Sequence, residues 1–271
     1  MKLSLGITPR DYSVAGGISY DADALAYFTA NTAITSAADK TAINTFYLGL
    51  KSDGIYTKIK TMYLPLWSTA TNNKWNLINP TDSDAAFRLT FTTGWTHSSS
   101  GMTPNGTSAY ANSYLAPSTF YSTNIHLSYY SRTSTIGTVI EIGSTHLSGT
   151  NFYAFLATAR NFVTGQSANG TVTYLTQPNS LGFFVGNKLT NSSRKIFRNG
   201  SVNNTSVLTD ANSLSNVNVY LGALNNSNIG GANFSSKQCS FASIGDGLSD
   251  TETSNFHSRV NTLMTYFGIN V

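Results

Sequence analysis

The rhythm of apolar and polar positions changes near residue 67. Before it, apolar residues recur at helical spacing. Asp21 is placed to cap a short helix running through Leu25 and Phe28. Ser36 followed by Asp39 resembles a capping box, with Asp where Glu or Gln is usual. Ile43, Phe46, Tyr47 and Leu50 then fall three and four residues apart, which predicts a helix with one apolar face. Ser52-Asp53-Gly54 marks its end. Ile55, Ile59, Met62 and Tyr63 continue the helical period until Pro65 stops it, and Lys51, Lys58 and Lys60 fall mostly on the wet side. The pattern divides the chain into residues 1–66, an extended start plus a helical region, and residues 67–271.

Beyond Trp67 short β-prone runs alternate with Gly, Asn, Ser and Pro. Strands are expected at Ala86–Phe91, Ser108–Leu115, Ile125–Ser131, Thr138–Ile142, Phe152–Thr158, Thr171–Leu175, Gly182–Val185, Lys195–Arg198, Val217–Gly222 and Cys239–Ile244. Strands at this spacing with no helices between them predict an antiparallel sandwich. Asn199-Gly200 is the pair favoured in a type I′ hairpin turn. Ser249 and Glu252 form a capping box for a final helix, whose buried stripe is Phe256, Val260, Leu263 and Phe267.

Composition narrows the choice. Of 271 residues 40% are hydrophobic and only 10% charged, and Ser, Thr and Asn fill the gap. An aromatic share of 12% supplies a core and excludes charge-driven disorder. The net charge of +4 is spread thinly. Its densest cluster, Arg194, Lys195 and Arg198, sits in the expected hairpin, so no nucleic-acid partner is indicated. No apolar run is long enough for a membrane helix, and the first residues lack the apolar stretch of a secretory signal. Cys239 is the single cysteine, which excludes an intrachain disulfide.

Three segments carry a family resemblance. They are Lys195-Ile196-Phe197-Arg198-Asn199-Gly200, Val219-Tyr220-Leu221-Gly222, and Phe241 through Glu252. Together they resemble concanavalin A-like (laminin-G-like) jelly rolls, with the hairpin carrying an Asn-Gly turn and the last core strand leading into a capped helix. Upstream, Gly54 through Tyr63, Lys74-Trp75-Asn76-Leu77 and Pro104-Asn105-Gly106-Thr107-Ser108-Ala109-Tyr110 are similar to uncharacterised virion or tail-associated proteins of tailed bacteriophages. The resemblance implies a mainly β jelly-roll sandwich over residues 67–271, preceded by a helical docking region over 1–66. It implies a virion structural protein, assembled in the host cytoplasm, that serves as capsid decoration, head fibre or tail-associated adhesion module. Its partners would be other virion proteins and copies of itself. The docking face would be Ile43, Phe46, Tyr47, Leu50, Ile55 and Ile59.

Candidate chemistry is sparse. Some jelly rolls of this superfamily hydrolyse glycosides, which takes two neighbouring carboxyl groups. Glu141 has Gly143 and Thr145 as same-face neighbours, so no partner follows it on its strand, and Asp82 and Asp84 sit in a turn-like stretch. A non-enzymatic protein is therefore expected, with a carbohydrate-binding receptor protein as the alternative to a virion structural role and a polysaccharide-degrading glycosidase less favoured still. His97, His126, His146 and His257 have no metal-ligand spacing, although His126 and His146 could approach across neighbouring strands. The loops Asn225–Gly231 and Asp246–Asp250 offer oxygen to Ca²⁺ but lack the acidic run of a strong site, so no metal or cofactor is assigned. Aromatic side chains remain. Trp67, Trp75, Trp95, Tyr110 and Tyr114, with Tyr129 and Tyr130 further on, could stack on sugar rings of a cell-surface glycan, although most such rings should be core.

Overall fold

The computed structural model describes residues 19–120, 124–148, 150–158, 161–166, 171–173, 179–207 and 214–271. Its helices are α1 (Ala22–Ala30), α2 (Ala37–Ser52), α3 (Ala70–Asn73), α4 (Pro117–Phe120) and α5 (Asp250–Tyr266). The strands are β1 (Ile59–Tyr63), β2 (Thr90–Phe91), β3 (Trp95–Ser98), β4 (Gly101–Pro104), β5 (Ala111–Asn112), β6 (Ile125–Ser131), β7 (Ile142–Ser148), β8 (Thr150–Ala157) and β9 (Asn161–Gln166). They continue with β10 (Thr171–Thr173), β11 (Gly182–Thr190), β12 (Ser193–Arg198), β13 (Ser201–Ser206), β14 (Tyr220–Leu221), β15 (Leu224–Asn226), β16 (Gly230–Ala232) and β17 (Cys239–Gly245).

Two sheets pack face to face. The first runs β13-β12-β11-β6-β17-β4-β3, with β1 also paired to β17. The second runs β10-β9-β8-β7-β14-β5-β2, and β15 joins β7 in parallel with β16 beside it. Leu127, Tyr129, Phe184, Ile196, Ala242 and Ile244 from the first sheet meet Ala111, Ile142, Leu156, Phe162 and Leu221 from the second. Gly186 allows this closeness, because a Cβ there would lie 2.2 Å from the Phe162 ring. The Asn-Gly turn is as expected: Asn199 and Gly200 both have positive φ, 50° and 76°, and Arg198 pairs with Ser201.

The first sheet is apolar on its other face as well. Tyr130, Phe183, Val185, Phe197 and Phe241 alternate with the interior row and pack under α1, α2 and α5. Strands buried on both sides need a cover, and the helices supply it. Asp21 and Ser36 cap α1 and α2 as expected, accepting from the backbone N–H of Asp23 and Asp39. Ser249 and Glu252 complete the capping box of α5, where Phe256, Val260 and Leu263 are buried and Phe267 is half-buried.

This arrangement corrects the expected docking face. Ile43, Phe46, Tyr47, Leu50, Ile55 and Ile59 are all at most 4% exposed. Phe46 meets the Phe241 ring edge-on at 5.8 Å, and the Tyr47 hydroxyl donates to Leu77 O at 2.7 Å. These side chains face the chain's own sheet, so they are not available to another protein. The expected division at residue 66 also falls inside one packed unit, because β1 is a strand of the first sheet.

The helical period expected over Ile55–Tyr63 is replaced by a 3₁₀ turn, Tyr56–Lys58, and then β1. The reason is a register shift against β17 between Ile59 and Thr61. The irregularity leaves Ile59 and Met62 on the helix side while Tyr63 enters the sandwich. A spacing of three thus imitates a helix. Other expectations differ in extent. Ala86–Phe91 holds only β2 after a left-handed Phe87, and Thr138–Ile142 gives way to a strand that begins at Ile142. Ser108–Leu115 and Val217–Gly222 shrink to β5 and β14, whereas Gly182–Val185 extends to Thr190. Of Thr171–Leu175, residues 174–175 lie outside the described residues.

Candidate functional site

The three tryptophans expected to bind sugar are engaged in packing. Trp67 donates from Nε1 to the Tyr27 hydroxyl at 2.9 Å and meets the Phe267 ring edge-on at 6.1 Å. Trp75 lies against the same helical cluster, with Lys74 Nζ 4.7 Å from its ring centre. Trp95 packs at the edge of the sandwich, 5.5 Å from the Phe91 ring, and only a glycine at 222 admits its indole. All three are half-buried and closed in by the core. Tyr129 and Tyr130 are both buried, Tyr129 inside the sandwich and Tyr130 under the helices.

Tyr110 and Tyr114 behave differently. In the second sheet Phe91, Ala111, Leu221 and Ile142 form one cross-strand row pointing into the core. Side chains alternate along a strand, so the neighbouring row of Thr90, Asn112, Tyr220 and Gly143 points outward. Tyr110 and Tyr114 flank Asn112 at two residues' distance and join that outer face. The Tyr110 and Tyr220 rings lie parallel, 4.1 Å apart and 6° from coplanar alignment. Tyr114 adopts a left-handed backbone with φ 59°, unusual for a bulky side chain. Two contacts hold it: Asn112 Oδ1 accepts its N–H at 2.9 Å, and its hydroxyl donates to Thr90 Oγ1 at 3.0 Å. Backbone strain of this kind is characteristic of sites where a side chain must be aimed. Gly231 borders the stack, since a Cβ there would lie 2.9 Å from Phe234 and 3.2 Å from Tyr110.

Tyr110, Asn112, Tyr114 and Tyr220 are each half-buried. The three long helices lie on the first sheet, so among the described residues none of them covers this face. Burial, followed by the adjacent Tyr110 hydroxyl, pushes the Tyr220 phenol up to about 12, so it stays a neutral donor and acceptor near pH 7. Rings, an amide and hydroxyls side by side can stack on one surface of a ligand and hydrogen-bond its edge. Sequence reading missed Thr90, Asn112, Tyr220 and Phe234. A signal for Tyr220 was present: in Val219-Tyr220-Leu221 the flanking apolar residues point inward, so the tyrosine must point out.

Other candidate chemistry is structural. Glu141 is fully buried, 3.0 Å from Lys237 Nζ, and accepts from Thr158 N at 2.5 Å and Ser235 Oγ at 3.1 Å. Burial raises its carboxyl above the ordinary range, against the opposing pull of Lys237. Asp82 and Asp84 bind Lys74 and Arg88. His126 and His146 lie on different sheets, which corrects the expectation that they could approach across neighbouring strands. The His126 ring contacts Asp246 O at 2.6 Å and Ser243 Oγ at 2.9 Å. Among the described residues no group of three or more His, Cys, Asp or Glu could hold a metal ion. The expected basic cluster disperses: Arg194 is buried, Lys195 binds Asp250 at 2.6 Å, and Arg198 donates to Leu181 O. Two adjoining grooves of about 470 and 230 Å³ run between α2 and α5, lined mainly by Ala, Thr, Phe46, Leu263 and Tyr266. No helix of the described residues is long and apolar enough to cross a membrane.

No protein-family model matches the chain, and no curated protein does. Solved structures do resemble it. Domain 4 of AbnA, a GH43 extracellular arabinanase from Geobacillus stearothermophilus, in complex with arabinotriose, aligns with a TM-score of 0.50 and 12% identity. The alignment covers 74% of this chain and 98% of that domain. Trypanosoma rangeli sialidase in complex with sialic acid aligns with a TM-score of 0.50 and 9% identity, over 79% of this chain and 38% of the sialidase. This chain therefore spans well under half the length of that enzyme. At such identities the likeness is one of fold. With an antiparallel sheet packed face to face on a second that is antiparallel except where β15 joins β7, the chain is a mainly β jelly-roll sandwich with an N-terminal helical region and a C-terminal helix.

Proposed function

We propose that this chain is a non-enzymatic carbohydrate-binding module whose ligand lies across Tyr110, Tyr114 and Tyr220. The observation that carries the reading is the stacked Tyr110–Tyr220 pair beside Tyr114, which is held in a left-handed conformation on the outer face of the second sheet. Sugar rings present apolar faces to aromatic side chains and hydroxyl edges to amides and hydroxyls. The arabinanase domain solved with arabinotriose shares the fold and lends support. Binding without hydrolysis is favoured because Glu141 is enclosed and Asp82 and Asp84 are ion-paired. A place in a bacteriophage particle, as an adhesion or decoration module, is proposed from the residue resemblance alone.

A glycan array followed by affinity measurement tests the reading. Tyr110→Ala and Tyr220→Ala should each weaken binding by roughly two- to tenfold, the worth of one aromatic contact. Tyr266→Ala, on the far helical side, should leave binding unchanged. Equal effects from all three substitutions, or binding untouched by the first two, would remove the site from this face.

A further inference from the structure

The charge of the chain is distributed unevenly between its two sheets. The first sheet carries Lys60 on β1, Lys188 on β11, and Arg194, Lys195 and Arg198 on β12. The nine strands of the second contain no Asp, Glu, Lys or Arg at all. The segments that build the tyrosine face extend this pattern. Residues 89–131 and 211–236 are both free of charged side chains. Sheets usually place charge, often Lys, on their exposed edges to block pairing with other chains, so an entire sheet without any is a departure.

Among the described residues, charges border the face at Thr90. A hollow of about 200 Å³ lined by Lys74, Arg88, Leu89, Thr90 and Phe91, among others, adjoins it. Its two cations are already matched by two carboxylates. Lys74 Nζ lies 2.6 Å from Asp82, and Arg88 lies 3.0 Å from Asp82 and 2.9 Å from Asp84. Two positive and two negative groups leave no net charge at this rim. An anionic sugar docked there would meet two cations whose charge Asp82 and Asp84 already compensate. It would also give up hydration with no unmatched cation among the residues lining the hollow to replace it. A neutral sugar needs only rings, hydroxyls and an amide, which Tyr110, Tyr220, Tyr114, Thr90 and Asn112 provide.

We infer that the glycan bound on this face is a neutral polysaccharide, carrying neither carboxylate nor sulfate. The inference rests on the carbohydrate-binding reading above and specifies its ligand class. Arg88 then belongs to the rim and takes no part in recognition.

Affinity electrophoresis of the full chain tests this with two pairs of probes: linear arabinan and β-glucan, which are neutral, and polygalacturonate and polysialic acid, which are anionic. The expected result is retardation by a neutral probe, with affinity changing by less than about twofold between about 20 and about 500 mM salt. Arg88→Gln should leave that affinity within about twofold, since the rim charge is already compensated. Preferential binding of an anionic probe, lost by about tenfold or more over the same salt range and weakened by Arg88→Gln, would overturn the inference while leaving a carbohydrate-binding module standing. Binding to neither class would overturn both.

Discussion

Glu141 and Lys237 meet at 3.0 Å in the interior, and at most 1% of either side chain is exposed. The pair joins the stretch before β7 to the stretch before β17. Its remaining polar atoms are matched: Thr158 N–H and Ser235 Oγ donate to the carboxylate, and Lys237 donates to Thr158 O and Oγ1. Removing one member leaves the other charge unpaired in the interior, at a cost of about 3–5 kcal/mol. Lys237→Met should lower stability by that amount in urea unfolding. The double variant Glu141→Gln with Lys237→Met should recover a substantial part of the loss. Equal losses in the single and double variants would show that the ion pairing is not what holds this region.

The helical layer gives a second test. Phe46 is 3% exposed and packs on Phe241, so Phe46→Ala should cost about 3–5 kcal/mol in denaturant unfolding. Deleting residues 1–66 removes α1, α2 and β1 and bares the outer face of the first sheet. The truncated chain should fail to give a cooperative thermal transition. A soluble, cooperatively folding 67–271 fragment would restore the helices to the status of a detachable docking region.

Stability should also fall in mild acid. Burial holds His126 neutral and lowers its pKa from 6.5 to about 4, with the Asp246 carbonyl opposing and Lys58 reinforcing the shift. As the pH drops below 6.5 the unfolded chain takes up a proton that the folded chain refuses, so stability declines until about pH 4. The contribution is fully present above 6.5, and its loss amounts to roughly 3 kcal/mol for a shift of this size. His97 and His257, lowered by partial burial, act in the same direction, whereas Glu141, raised by burial, acts in the opposite one. Comparing urea midpoints from pH 7 to pH 4 for the parent and His126→Gln isolates the term. The variant should show a visibly shallower decline, and parallel curves would refute the assignment.

What could be read from the chain was local. Ser249 with Glu252, Asp21 and Ser36 announce helix starts because a side chain bonds a backbone N–H within three residues. Asn199-Gly200 announces its turn because both residues tolerate positive φ. The run Ile125–Ser131 was legible as a strand to its ends. The scarcity of charge after residue 88 was also visible in the linear sequence, although not its segregation onto one sheet.

Tertiary structure decided the rest, because the decisive partners are far apart in sequence. An apolar stripe on α2 reads the same whether it faces another protein or the chain's own sheet; only the two-sided burial of Phe183, Phe184, Phe241 and Ala242 shows which. The period of three between Ile59 and Met62 needed β17 to reveal a bulged strand. The tyrosine face brings Thr90, Asn112 and Tyr220 together through pairing of β2, β5 and β14, which no local pattern contains. Short-range hydrogen bonding is written into neighbouring residues, whereas which apolar face is left uncovered depends on how the whole core closes.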